Sequence, residues 1–265
     1  MEPENRSWMG LEGLIRNLVD VFPGTVGLVI NDMVGGRSLC INEAERLPAA
    51  SLIKLPILWE CFAQQADGRV SRETRISLTN SCKAGGSGIL QFLEPGVFLT
   101  FQDLATLMIT VSDNMATNLL IDTLGQDCIN SAIRGLGLGN TILQRPMMDF
   151  DSARQGVENV TTAVDIAQLL AHFVRSDTLP AAARAHMIQI LAQQQLNDRL
   201  SAEWPEAIAF AHKTGSLPGI EHDAGILYPE TQPLIIVLLT RTDPFSRAGV
   251  RLCREVGQLL YQEML

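Results

Sequence analysis

AFAHKTGSLPGIEHDAGILYPETQPLIIVLLT, residues 209–240, decides the fold. Within it, 209–213, 223–228 and 233–240 read as strands separated by turn residues. Two more strand-like runs lie near the N-terminus, at 25–30 and 37–41, joined by a turn at Val34, Gly35 and Gly36. Everything between these two groups has helical periodicity. One helix spans 51–65 and stops at Asp67 and Gly68. Another opens at Thr100 with Asp103 completing a capping box, and runs to about 110. Further helices read at 115–124, at 128–136, from the Thr162 cap to about 175, and at 180–194. Helices at 10–22 and from about 245 to the end flank the strands. If the chain ends meet, the five strands form one antiparallel sheet. The predicted class is α+β: a five-stranded antiparallel sheet flanked by helices, with an all-helical lobe inserted in its middle. One domain is expected, its sheet lobe from about 1–45 and 205–265 and its helical lobe from about 46–204. Residues 142–160 lack periodicity and are long for a loop, and long loops are more often functional than idle.

Composition narrows the function. Hydrophobic residues make up 46% of the 265 and charged residues 18%, which suits a large core and excludes a disordered or fibrous chain. The longest apolar run, 234–239, is far short of the ~20 residues that a membrane-spanning helix needs. Twenty basic residues against 29 acidic ones give a net charge of −9, and no Lys/Arg cluster is present to track phosphates. Nucleic acid and anionic membranes are therefore not expected as partners. An anionic substrate would need a local cation. The cysteines Cys40, Cys61, Cys82, Cys128 and Cys253 are scattered, with no C-x-x-C pair, so they read as small buried hydrophobes in a reducing compartment. The polar, acidic residues 1–10 do not form a signal peptide, which points to the cytoplasm or to a signal outside this sequence.

Three short motifs carry chemistry. In Ser51-Leu-Ile-Lys54 the serine sits at a helix start and the lysine one turn on, on the same face. Apolar Leu52, Ile53, Leu55 and Ile57 would desolvate the lysine amine, and a neutral amine beside a hydroxyl is a general base for a nucleophilic serine. Taken alone, the same residues read as an N-cap and a solvated lysine. Ser112-Asp113-Asn114 lies between two helices. It reads either as capping or as a proton relay (Ser112), a structural acid (Asp113) and an amide donor to substrate (Asn114). Lys213-Thr214-Gly215 lies on a strand, where Gly215 lets a ligand backbone approach closely, Lys213 and Thr214 could hold a carboxylate, and the Ser216 amide follows.

Each motif is weak alone. In this order, S-x-x-K, S-D-N and K-T-G form the set found in class A β-lactamases and penicillin-binding proteins. The sequence therefore resembles the penicillin-recognising serine hydrolases, class A β-lactamases most closely, over essentially the whole chain. The resemblance implies that Ser51 attacks the β-lactam carbonyl and that Lys54 accepts its proton. Ser112 would pass a proton to the lactam nitrogen. The amides of Ser51 and Ser216 would hold the oxyanion. Lys213 and Thr214 would bind the substrate carboxylate, and Asn114 its side-chain amide. The substrate would be a small β-lactam or a D-Ala-D-Ala-like compound, handled by a monomer with no metal or organic cofactor. The family works mostly in the periplasm or outside the cell.

One family motif is missing. Class A enzymes carry E-x-x-L-N in the loop before the T-T helix start, and its Glu activates the deacylating water. Here Arg145 and Thr161-Thr162 match the loop's ends, but the Glu position holds Met147 or Met148. Asp149 and Asp151 are the nearest acids. Asp149 reads either as a partner for Arg145 or as a shorter substitute for the Glu. Of the histidines, His172 and His186 read as surface or boundary residues, His212 faces away from the Lys213 side, and His222 is a candidate for facing the site. Acylation machinery is complete by motif and deacylation machinery is not. This leaves a β-lactamase, a DD-peptidase, a penicillin-binding sensor and a promiscuous esterase as readings.

Overall fold

Alternation along the strands builds two cores from one sheet. The computed structural model describes residues 3–79, 84–228 and 233–264. Helix α1 (Pro3–Asp20) leads into β1 (Thr25–Asp32) and β2 (Ser38–Ile41). The chain returns to the sheet with β7 (Phe210–Leu217), β8 (Ile220–Leu227) and β9 (Leu234–Arg241), and ends in α9 (Ala248–Met264). The order is β2-β1-β9-β8-β7, antiparallel throughout. β9 pairs with β1 from Thr25↔Arg241 to Asp32↔Leu234, so the two ends of the chain do meet. Val26, Leu28, Ile30, Leu234, Ile236 and Leu238 face the core under α1 and α9. Val29, Ile235, Val237 and Leu239 face the opposite core, shared with the helical insertion. A strand covered on both faces is apolar throughout, which is why 234–239 carries no polar residue.

The insertion holds β3 (Leu47–Pro48), a 3₁₀ turn (Ala50–Ile53), α2 (Lys54–Ala66), β4 (Arg75–Ser77), β5 (Phe98–Thr100), α3 (Phe101–Thr110), α4 (Asn114–Leu124), α5 (Gln126–Gly135), α6 (Phe150–Arg154), β6 (Val160–Thr161), α7 (Ala163–Arg175) and α8 (Ala181–Ala192). Its centre is α2. Leu55, Leu58, Cys61 and Phe62 are buried against Phe101, Met108, Leu120 and Phe173. Each such side chain, fully buried, stabilises the fold by about 1.5–3 kcal/mol. The capping box forms as expected, Thr100 Oγ1 accepting from Asp103 N and Asp103 Oδ2 from Thr100 N, both at 3.0 Å.

Several boundaries differ from the sequence expectation. The hairpin β7–β8 is longer than 209–213 and 223–228 suggested, turning at Pro218-Gly219. Its polar stretch pairs internally: Ser216 Oγ donates to Glu221 Oε2 at 3.0 Å, and His212 Nδ1 meets Asp223 Oδ1 at 2.7 Å. Polar residues satisfied across a hairpin hide a strand from a periodicity reading. The helix read at 51–65 starts as a 3₁₀ turn, and α9 starts three residues after 245. The small sheets β3–β6 and β4–β5 were not anticipated. Cys61 and Cys253 are buried free thiols, as expected of small hydrophobes, whereas Cys40 is half-buried and Cys128 is exposed on α5, and Cys82 lies outside the described residues. Among the described residues, no helix is long and apolar enough to cross a membrane, and no acidic, His or Cys cluster could hold a metal.

Candidate active site

The S-x-x-K serine sits on a turn that bends sharply out of β3. Ala50 adopts φ +46°, an uncommon left-handed conformation for a residue with a Cβ. Gly215 is the reason that β7 can lie against this turn. A Cβ there would stand 3.2 Å from Ala50 Cβ and 3.3 Å from Ser51 N. The sequence reading left that space for a ligand, and the structure fills it with the protein's own serine turn. His222 supports the turn from below: Nε2 donates to Pro48 O at 2.9 Å and Nδ1 accepts from Thr240 N at 3.1 Å. Burial pushes its pKa down to about 4, so the ring is neutral near pH 7. It shares a sheet face with Gly215 but serves as a strut rather than lining the cleft.

Lys54 is fully buried. Nζ lies 2.7 Å from Ser112 O, 3.0 Å from Ser112 Oγ and 2.9 Å from Asn114 Oδ1. Burial, reinforced by the positive Lys213, pushes its pKa well below the ordinary lysine range, while Asp113 opposes the shift. A neutral amine has two protons and one lone pair. The carbonyl and amide oxygens can only accept, so Ser112 Oγ is the partner able to donate back to Nζ. The geometry thus places the Lys54 amine and the Ser112 hydroxyl in direct hydrogen-bond contact. Ser112 is itself left-handed, at φ +54°.

Asp113 ties the motif down. Oδ1 accepts from Ala116 N at 2.9 Å, capping α4, while Oδ2 accepts from Ile89 N at 2.7 Å and Leu90 N at 2.9 Å. Gly88 is needed beneath it, because a Cβ there would fall 2.3 Å from the carboxylate. Asn114 lines the cleft with one amide proton given to Gly85 O at 3.0 Å.

From the other side, Lys213 is also fully buried and donates to Thr214 O at 2.8 Å. Burial and the neighbouring Arg199 cation lower its pKa to about 7, against the pull of Asp223. His212 points to the opposite face, as alternation demands, with Nε2 2.9 Å from Asn197 Oδ1. Ser216 lines the cleft, and its Oγ accepts from Arg199 Nη2 at 2.5 Å. Arg199 was missed from sequence. It is buried beside Glu221, at 2.5 Å, and no spacing in the chain announces that 199 and 221 meet.

The long loop supplies the remaining wall. It is closed at its neck by the Ile142↔Val160 bridge and by Arg145, whose Nη2 lies 2.7 Å from Glu158 Oε1. Asn118 grips the loop through two bonds to Met147, accepting from its N at 2.8 Å and donating to its O at 3.1 Å. Met147 and Met148 both line a cleft of about 220 Å³ beside Ser51. Asp149 is absent from the cleft lining. Its Oδ1 accepts from Ser152 N at 3.0 Å and its Oδ2 from Ser152 Oγ at 2.6 Å, capping α6, and these bonds hold its pKa below the usual carboxylate value. The partner of Arg145 is Glu158 rather than Asp149. Among the described residues, Glu158 is the carboxylate that lines the cleft, and Arg145 and Asn159 N occupy its Oε1.

With this constellation in place, the family model described as the beta-lactamase enzyme family matches residues 10–264. The chain belongs to the beta-lactamase enzyme family. A beta-lactamase of Streptomyces fradiae is 27% identical, the match covering 96% of this chain and 86% of that one. The structure of PBP-A superposes with a TM-score of 0.87 at 30% identity, covering 96% of this chain and 95% of PBP-A. The beta-lactamase of Sphaerobacter thermophilus gives 0.87 at 30%, covering 97% of both. PBP-A is also known as an L158E mutant in an acyl-enzyme complex with penicillin G, 31% identical to this chain. As a family member, this beta-lactamase-like protein is a serine hydrolase of class A type on the expected α+β fold.

Proposed function

We propose that the protein opens β-lactam rings through an acyl-enzyme on Ser51 and releases the acyl group slowly. The observation that carries the reading is the buried Lys54, bonded to Ser112 and Asn114 and placed one turn after Ser51, behind a cleft lined by Ser51, Asn114, Met147 and Met148, whose carboxylate, Glu158, is bound by Arg145. In the acylation step, neutral Lys54 takes the proton of Ser51 as Oγ bonds to the lactam carbonyl carbon. The amides of Ser51 and Ser216 receive the oxyanion, and each such donor is worth about 10²–10³ in rate. The ring C–N bond then breaks. Its nitrogen takes a proton from Ser112, which Lys54 replaces. Lys213 supplies the positive end for the substrate carboxylate, with Thr214 beside it. Asn114 keeps its second amide proton for the substrate's side-chain carbonyl. Hydrolysis needs an activated water; Asp149 is turned off the cleft to cap α6, and Glu158 is paired with the Arg145 cation, which weakens it as a base. The likeness to PBP-A at 30% identity favours a second reading, a penicillin-acylated protein acting on D-Ala-D-Ala-like peptides.

Intact-protein mass spectrometry after penicillin addition tests the proposal. A one-equivalent adduct on Ser51 that persists over many minutes supports it. No adduct, or an adduct on Ser51→Ala in equal yield, refutes it. Release of D-alanine from a dipeptide-terminated stem, with β-lactams acting only as inhibitors, selects the second reading.

A further inference from the structure

We infer that the Met148 side chain is an adjustable wall that selects the acyl group, favouring acyl donors whose amide-linked side chain is apolar and aromatic. This rests on Ser51 being the acylated residue. Lys213 is buried on the face of β7 that Gly215 turns toward Ser51, close enough to Lys54 to act on its charge. In the proposed function it anchors the substrate carboxylate, so the substrate's other end extends past Asn114. What waits at that end is Met147, Met148 and Phe150 from the long loop, with Leu217 and Pro218 from the β7–β8 turn. The charged groups among the described lining residues, Arg145 and Glu158, are spent on each other. An ionic acyl side chain would lose its water there and gain no counter-charge.

Met148 is held by its backbone, and its half-buried side chain ends in the flexible thioether. Asn118 fixes Met147 on one side, and on the other Phe150 N donates to Met148 O at 2.9 Å while Asp149 caps α6. Met148 itself is left-handed, at φ +68°, a strained setting that aims the side chain over the cleft. The thioether then reaches the opposite wall. A Cβ placed on Gly86 would fall 2.9 Å from Met148 Sδ and 3.1 Å from Cε, so glycine at 86 is what lets the side chain span the cleft. The same point lies 2.8 Å from Asn114 Nδ2, which sets the sulfur next to the amide that would receive the substrate's side-chain carbonyl. Methionine has three rotatable bonds and a polarisable sulfur that favours aromatic rings. An arylacetyl group entering past Asn114 displaces the thioether from Gly86 and packs against it.

The test compares acylation rate constants for penicillin G, for the bare aminopenicillanic acid nucleus, and for a penicillin with a carboxylate on its arylacetyl side chain. Wild-type protein should rank them in the order penicillin G, then the other two. In Met148→Ala and in Met148→Gly, which accepts the positive φ without strain, the penicillin G to nucleus ratio should fall about three- to tenfold. A ratio unchanged in a folded variant overturns the inference, as does an equal loss on both substrates. Should neither variant fold, a wild-type protein that acylates all three at the same rate overturns it by itself. If none of the three labels wild-type Ser51, the underlying reading fails and the inference with it. A labelled serine with a flat ratio sinks the inference alone.

Discussion

Raising the pH should switch off penicillin acylation by discharging Lys213, while leaving a neutral substrate untouched. Lys213 has its pKa lowered to about 7, so it is charged below that value and neutral above it. In the free protein each pH unit above 7 removes tenfold of the cation, leaving about 1% charged two units higher. The second-order acylation constant, which reports the free protein, should therefore fall with unit slope and lose about 100-fold by pH 9. Lys54 works in the opposite sense. Its pKa is also depressed, and the neutral fraction that accepts the Ser51 proton grows with pH. A carboxylate-bearing penicillin should give a bell, rising with Lys54 and falling with Lys213. An uncharged thioester or ester acyl donor does not use the Lys213 charge and should show the rising limb only. Stopped-flow or quenched mass spectrometry across pH 5–10 reads both curves. Equal falling limbs on the two substrates would mean that Lys213 acts on the protein rather than on the substrate carboxylate. No fall for penicillin between pH 7 and 9 would mean that the substrate is anchored elsewhere, with Arg199 the nearest cation.

Further outcomes follow from the same geometry. A lysine whose folded pKa lies below its unfolded value binds fewer protons when folded, so stability should rise with pH between about 7 and 10.5. Lys213→Met should raise the melting temperature below that window and abolish penicillin acylation; a lower melting temperature would show that the buried amine stabilises the fold. Met147→Glu places a carboxylate on a backbone already fixed by Asn118, and the acyl-enzyme lifetime should shorten at least about tenfold, since positioned general bases contribute about 10²–10⁴. An unchanged lifetime in a folded Met147→Glu protein would place the deacylation position elsewhere on the loop. Asp149→Ala should lower the melting temperature slightly through loss of the α6 cap and leave the acyl-enzyme lifetime unaltered. A trapped acyl-enzyme in that variant would restore Asp149 as a base.

The fold was legible because its determinants are local. The strand-like runs at 25–30 and 233–240, the Thr100–Asp103 box and the Asp67–Gly68 stop act within a few residues, and each forms or ends an element close to where it was read. What failed locally was the polar hairpin around Ser216 and Glu221, whose partners lie in the next strand. The site was partly legible for a different reason. Ser51 and Lys54 are one turn apart, so their shared face follows from helix geometry alone. Asp113 was read as a structural acid, and it bonds the amides of its own turn and of the loop at 89 and 90. Asp149 could not be assigned from the chain, because a carboxylate next to a helix start can cap it or face the cleft with the same sequence.

By itself, then, the sequence marked Ser51, Lys54, Ser112 and Lys213, through the resemblance their motifs carry, as the candidates for nucleophile, base, relay and anionic clamp, and it lacks E-x-x-L-N between Arg145 and Thr161. Residue identity and short-range spacing are enough for that. Only the tertiary structure decided what those residues experience. Lys54 and Lys213 owe their depressed pKa values to burial and to like charges brought close from 159 or fewer positions apart along the chain. Met148 reaches Gly86 only because Asn118 and Asp113 hold two distant loops face to face. Desolvation, charge proximity and close packing depend on distances in space, and a chain of 265 residues leaves those unset until it folds.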